Sequence, residues 1–264
     1  MKINKKYILA TIIMISAVIF TIWQNQTVAQ YGNKTVQISI NTDKQNYALG
    51  EVIGLNFEIS NLSDENIEIN TPNVRTGNLK IYLSSDSVNF REYSGPRWGK
   101  VRSRQKIKLK TGESFQTKAT ILHNKTLETE HLTEYYAEQI RKETIDTNFA
   151  FLQSGRYFIK GVYTSNKIKL ESETFPIEIT EPLGLDIAVW QKLKNNGEYA
   201  YFLQTGEIKY QPGTIEREEF IASLRQISEE FPSSTLAEKI NANLVKFDQT
   251  QDYLQNLKNE KANE

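Results

Sequence analysis

The chain has 264 residues, 39% of them hydrophobic and 24% charged, with Lys+Arg and Asp+Glu balanced at 32 each. That apolar content excludes wholesale disorder, and the length suits one or two domains whose core needs no staples. There is no cysteine, and the two histidines are His123 and His131, so a disulfide framework, a thiolate metal site and a thiol nucleophile are excluded.

Lys2, Lys5 and Lys6 precede an uncharged, largely apolar run over residues 7–23. Thr27 and Ala29 then form a small-x-small signal-peptidase site, with cleavage after Ala29. The run is longer than a signal core of about 7–15 residues and reaches the lower limit of a spanning helix at about 17. Residues 1–30 are therefore predicted to be a signal peptide or an uncleaved N-terminal membrane anchor. Either way the lysines stay inside and residues 31–264 are exported: periplasmic, secreted, or anchored in the inner membrane. Residues 31–264 carry 29 basic and 32 acidic side chains, a net charge of −3.

Residues 35–180 read as strands, within a domain placed at 31–180. Val36, Ile38 and Ile40 alternate with polar residues; so do Ile53, Leu55, Phe57 and Ile59, then Leu79, Ile81 and Leu83. Phe115, Ala119 and Ile121 share a parity, as do Tyr157, Ile159 and Tyr163. Period-two alternation means one buried and one wet face, as in antiparallel sheets. Gly50 is placed in a turn before the second long strand, and Tyr157 is expected to hydrogen-bond back across a corner. The predicted fold class is mainly β: an Ig-like antiparallel β-sandwich followed by a small α-helical C-terminal region.

Between these strands lies a basic stripe: Arg97, Lys100, Arg102, Arg104, Lys106, Lys108 and Lys110, within a 91–110 segment of net charge +7. If 100–110 is one strand, its cations line one face. They then serve either to guard an edge against aggregation or to bind an anionic surface such as lipid head groups, polysaccharide or an acidic partner. Residues 124–148, with Leu132, Tyr135, Tyr136 and Ile140 at helical spacing, are predicted to be a helical insertion.

At Glu181-Pro182-Leu183-Gly184 the period becomes helical. Ile187, Trp190 and Leu193 mark a first helix, Tyr199, Tyr201 and Phe202 a short second. Thr214 caps a third carrying Phe220, Leu224, Ile227 and Phe231. Pro232 ends it, and Ser233 or Ser234 caps a last helix with Leu236, Ile240, Leu244, Phe247 and Leu254. Residues 182–264 form this tail, net −5 over 181–264; residues 31–180 are expected to fold without it.

The stretch Thr42-Asp43-Lys44-Gln45-Asn46-Tyr47-Ala48-Leu49-Gly50-Glu51, with Leu109-Lys110-Thr111-Gly112-Glu113 and Gly155-Arg156-Tyr157-Phe158-Ile159, resembles exported bacterial Ig-like modules of macroglobulin type. The resemblance covers residues 35–180 and implies a sandwich in an exported setting; a thioester cysteine and a bait region are missing. The joint Phe231-Pro232-Ser233-Ser234-Thr235-Leu236-Ala237 is similar to those of tetratricopeptide-like envelope proteins over one repeat, 215–248.

No nucleophile-elbow, zinc-protease, dinucleotide or phosphate-loop motif occurs. His123 and His131 read as solvated loop residues, because their separation fits no compact metal motif. No catalytic residue, cofactor or metal ligand is assigned. The expected function is that of a non-enzymatic, exported cell-envelope protein, a binding or scaffold module. The alternatives are a proteinase inhibitor or adaptor, or a carbohydrate-active hydrolase whose carboxylates no motif marks. Expected partners are an envelope protein or an anionic surface, and the membrane if residues 1–30 stay attached, but not nucleic acid.

Overall fold

The computed structural model describes residues 28–31, 34–96, 105–126, 146–165 and 168–262. The chain runs through β1 (Val28–Tyr31), β2 (Lys34–Thr42), β3 (Asn46–Ala48), β4 (Ile53–Asn61), β5 (Ile67–Asn70), β6 (Leu79–Ser84) and β7 (Arg91–Glu92). It continues with β8 (Lys106–Leu109), β9 (Ser114–Ile121), β10 (His123–Thr126), β11 (Asp146–Phe149), β12 (Gly155–Ser165), β13 (Ile168–Glu171) and β14 (Phe175–Thr180). Four helices close it: α1 (Leu185–Leu193), α2 (Gly197–Thr205), α3 (Ile215–Glu230) and α4 (Thr235–Ala262). The protein is thus mainly β with a helical C-terminal region.

Two larger sheets carry most of the strands, ordered β1-β2-β4-β9 and β3-β14-β12-β6-β7. In β4 every odd residue from Ile53 to Asn61 is buried and every even one half-exposed, so the alternation in sequence is the pleat itself. β12 of the second sheet comes close to β4 of the first at Gly161, where an added Cβ would lie 2.5 Å from the Phe57 ring. Only glycine leaves that ring its place. Tyr157 donates its hydroxyl to Gln153 O at 3.0 Å, the expected back-bond across the corner. β5 and β8 pair apart from these sheets, as do β10 and β11.

Several expectations are corrected. The pairing is not all antiparallel: β3 runs parallel to β14, Tyr47 opposite Ile179. The predicted helical insertion begins and ends as strand, with Asn124 paired to Asn148. The partner lies across the intervening segment, so local periodicity could not reveal it; residues 127–145 lie outside the described part. The stripe is strand over Lys106–Leu109. β1 reaches into the predicted leader: Val28 pairs with Gln37 and Ala29 with Val36. Residues 1–27 lie outside the described part, within which no helix is long and apolar enough to cross a membrane.

The helices pack on the sheets through a continuous core. Phe149 of β11 meets Trp190 of α1 edge-to-face at 4.8 Å between centroids. Gly50, at φ 86°, sits beneath Trp190 and Leu236, where an added Cβ would be 3.1 and 3.2 Å from their side chains. Each large apolar side chain so buried contributes about 1.5–3 kcal/mol. Thr214 Oγ1 accepts from Arg217 N at 3.3 Å and Ser234 Oγ from Ala237 N at 3.2 Å, the expected caps. Asn196 caps α2, accepting from Glu198 N at 2.9 Å. Of the residues that mark the first helix, Trp190 and Leu193 are buried, with Val189, while Ile187 is 49% exposed.

Candidate binding groove at the β9 edge

Gln204 hydrogen-bonds the helical tail to the end of the first sheet. Gln204, in the last turn of α2, donates its Nε2 to Thr120 O at 2.7 Å. Its Oε1 accepts from Leu122 N at 3.1 Å and from His123 N at 2.7 Å. Tyr93, just past β7, donates its hydroxyl to His123 O at 2.7 Å and lies 3.1 Å from Gln204 Oε1. Burial pushes the Tyr93 hydroxyl well above its ordinary pKa, so it stays protonated and serves as a donor.

Tyr93, Thr120 and Gln204 of this network line a groove of about 440 Å³, within the size range of small-ligand sites. Residues 117–120 of β9 form one wall, and 73–75 with Tyr93, Gly95 and Pro96 form the other; Gln204, Thr205 and Glu207 close the α2 end. Among the described residues the groove lies between β9, last in the first sheet, and the chain leaving β7, last in the second. Its charged lining side chains are Arg75, Lys118 and Glu207. Burial raises the Glu207 carboxyl above its usual range, and the Arg75 charge works against that rise. Lys118 has no ion pair among the described residues.

His123 was expected on a solvated loop but is fully buried. It opens β10 and stacks edge-on against Tyr201 of α2 at 5.3 Å. Its Nε2 lies 3.2 Å from Lys209 Nζ, which is also 3.0 Å from Glu198 Oε1 and over the Tyr201 ring at 4.3 Å. These contacts fasten the α2–α3 connection to the sheets. Long-range packing made the site, so spacing around His123 could not show it. His131 lies outside the described residues.

Of the basic stripe, Arg97, Lys100, Arg102 and Arg104 lie outside the described residues. Lys106, Lys108 and Lys110 are exposed, with Ile107 and Leu109 turned inward, as the alternation predicts. Lys106 pairs with Glu68 at 2.6 Å and Lys110 with Glu113 at 3.6 Å. Lys106 and Lys108 stand on β8 and Lys110 just past it, and none of the three lines the groove. Gln204, Tyr93, Arg75, Lys118 and Glu207 escaped the sequence reading because each occupies an ordinary polar position; only the tertiary fold brings them together.

No family model matches the chain, and no curated protein matches it. Among solved structures, the C-terminal domain of wzt aligns at TM-score 0.32 and 9% identity, covering 61% of this chain and 81% of that one. A CARDB domain from Pyrococcus furiosus aligns at 0.27 and 9%, covering 58% and 100%. A β-glucosidase from Erythrobacter marinus aligns at 0.29 and 12%, covering 56% of this chain. The chain spans only 16% of that β-glucosidase's length. Likeness this slight says nothing of function.

Proposed function

We propose that this chain is an exported, non-enzymatic binding or scaffold module of the cell envelope, an Ig-like β-sandwich whose helical tail completes a binding groove. The observation that carries the reading is the groove itself: an exposed strand edge, neutral hydrogen-bonding side chains, two cations and one carboxylate. Glycoside hydrolysis uses two carboxyl groups about 5–10 Å apart, and among the described residues Glu207 is the one carboxylate in this lining. That favours binding over the hydrolase alternative. Export rests on Lys2, Lys5 and Lys6 before the 7–23 run.

The test is ligand-observed NMR of the full chain against a panel of peptides and oligosaccharides, repeated with Ala119→Trp at the groove lining, its melt compared with wild type because Ala119 also packs on the core. At least one class should bind wild type, be recovered unchanged, and lose its signal with the variant. Turnover of a bound probe, or binding indifferent to Ala119→Trp, contradicts the reading. For export, alkaline phosphatase fused after residue 264 should be active; an abundant but inactive fusion counts against it.

A further inference from the structure

Glu113 O accepts from Asn61 N at 2.9 Å, and Ser114 then stands opposite Ser60. In an antiparallel ladder hydrogen-bonded and non-bonded pairs alternate, so the odd residues of β9 bond to β4. The N–H and C=O of Gln116, Lys118 and Thr120 therefore turn outward, along an edge that no other strand pairs among the described residues. At its far end that edge is already occupied. Gln204 donates to Thr120 O and accepts from Leu122 N, the two bonds that one residue of a parallel neighbouring strand would make opposite Ile121. Its carboxamide stands where a strand residue would stand, and the groove continues from it past Lys118.

The geometry points to an extended peptide as the groove's ligand, added as a strand to the β9 edge in continuation of Gln204 and carrying an acidic side chain. This rests on the binding-module reading and names the ligand class. Residues 117–120 span about 10 Å at roughly 3.3 Å per residue, so the groove takes three or four extended residues. Main-chain pairing to Lys118 and to the Thr120 N–H supplies affinity, and side chains supply selectivity. The Lys118 charge selects an acid, while Glu207, on which the Arg75 charge acts, repels one from the α2 end. A second copy pairing β9 to β9 would set Lys118 of both copies on one ribbon, a like-charge arrangement.

The test is calorimetric titration of the full chain with a blocked Thr-Val-Glu-Val-Thr peptide, its Lys analogue, and a form N-methylated on the backbone. The Glu peptide should bind roughly tenfold or more tightly than the N-methylated form, as expected for one or two lost backbone bonds. Ala119→Trp should abolish binding. Lys118→Glu, an exposed change that leaves the melt intact, should reverse the preference from the Glu to the Lys peptide. Equal binding of the N-methylated form overturns strand addition, and equal binding of the Glu and Lys peptides overturns the acidic preference. If only an oligosaccharide binds in an Ala119→Trp-sensitive way, the peptide inference falls and the binding module stands. If no probe is sensitive to that variant, both fall. Concentration-dependent dimerisation abolished by Ala119→Trp overturns the inference in favour of a second copy.

Discussion

Single side chains bear much of the join between sheets and helices. Asp186, in the first turn of α1, accepts from the hydroxyls of Ser234 and Thr235 and from Leu236 N at 3.2 Å, at the start of α4. Burial pushes its carboxyl up, but these hydrogen bonds outweigh burial and hold it below the usual range. The unfolded chain therefore takes up this proton first on acidification. Its stabilisation is present above about pH 4 and is lost as pH falls through the lower folded value. Asp186→Asn should lower the melting temperature at pH 7, with the gap to wild type closing below pH 4; a gap constant with pH would contradict this. Gly161→Ala drives a methyl into the Phe57 ring and should cost about 1–3 kcal/mol by denaturant titration. Restoring room with Phe57→Leu in the same chain should recover part of it.

Among the elements, β8 shows what alternation reveals and what it hides. Lys106 and Lys108 of β8 and Lys110 just past it face out as read from sequence, and Lys106 and Lys110 find counter-charges on Glu68 and Glu113. Such exposed pairs contribute about 0–1 kcal/mol each. Replacing Lys106, Lys108 and Lys110 together by Gln should leave the melt nearly unchanged and raise light scattering on concentration, because charge guards an unpaired edge. A salt-sensitive loss of binding to anionic liposomes would instead make the stripe an anion-binding surface. Strands with one buried face, such as β2 and β4, and helices with caps, such as α3, were legible because their signals are local. β10 and β11 were not, since each is defined by a partner across a long insertion. The groove was illegible for the same reason: Lys118 is an ordinary outward residue of β9, and Gln204 an ordinary polar residue of α2.

At the scale of the whole molecule, sheets and helices share one core. Phe149 rests on Trp190, Gly50 lies under Trp190 and Leu236, and Gln204 holds the end of β9. The sequence suggested that residues 31–180 would fold alone. The shared core predicts instead that removing 182–264 lowers the melting temperature sharply or abolishes a cooperative melt, because buried aromatic and backbone groups are laid open. A truncated chain melting like the whole would refute it. Maturation touches the same architecture: cleavage after Ala29 would remove Val28 and Ala29, half of β1, and shorten its pairing with β2. The open edge of β9 underlies the functional reading, and residue-resolved amide hydrogen exchange tests it most directly. In the free chain the N–H groups of Lys118 and Thr120 should exchange rapidly while those of Thr117 and Ala119 are protected. Saturation with the Thr-Val-Glu-Val-Thr peptide should slow Lys118 and Thr120 by about tenfold or more, as for newly formed backbone hydrogen bonds. Protection already complete in the free chain, or exchange unchanged at saturation, would contradict it.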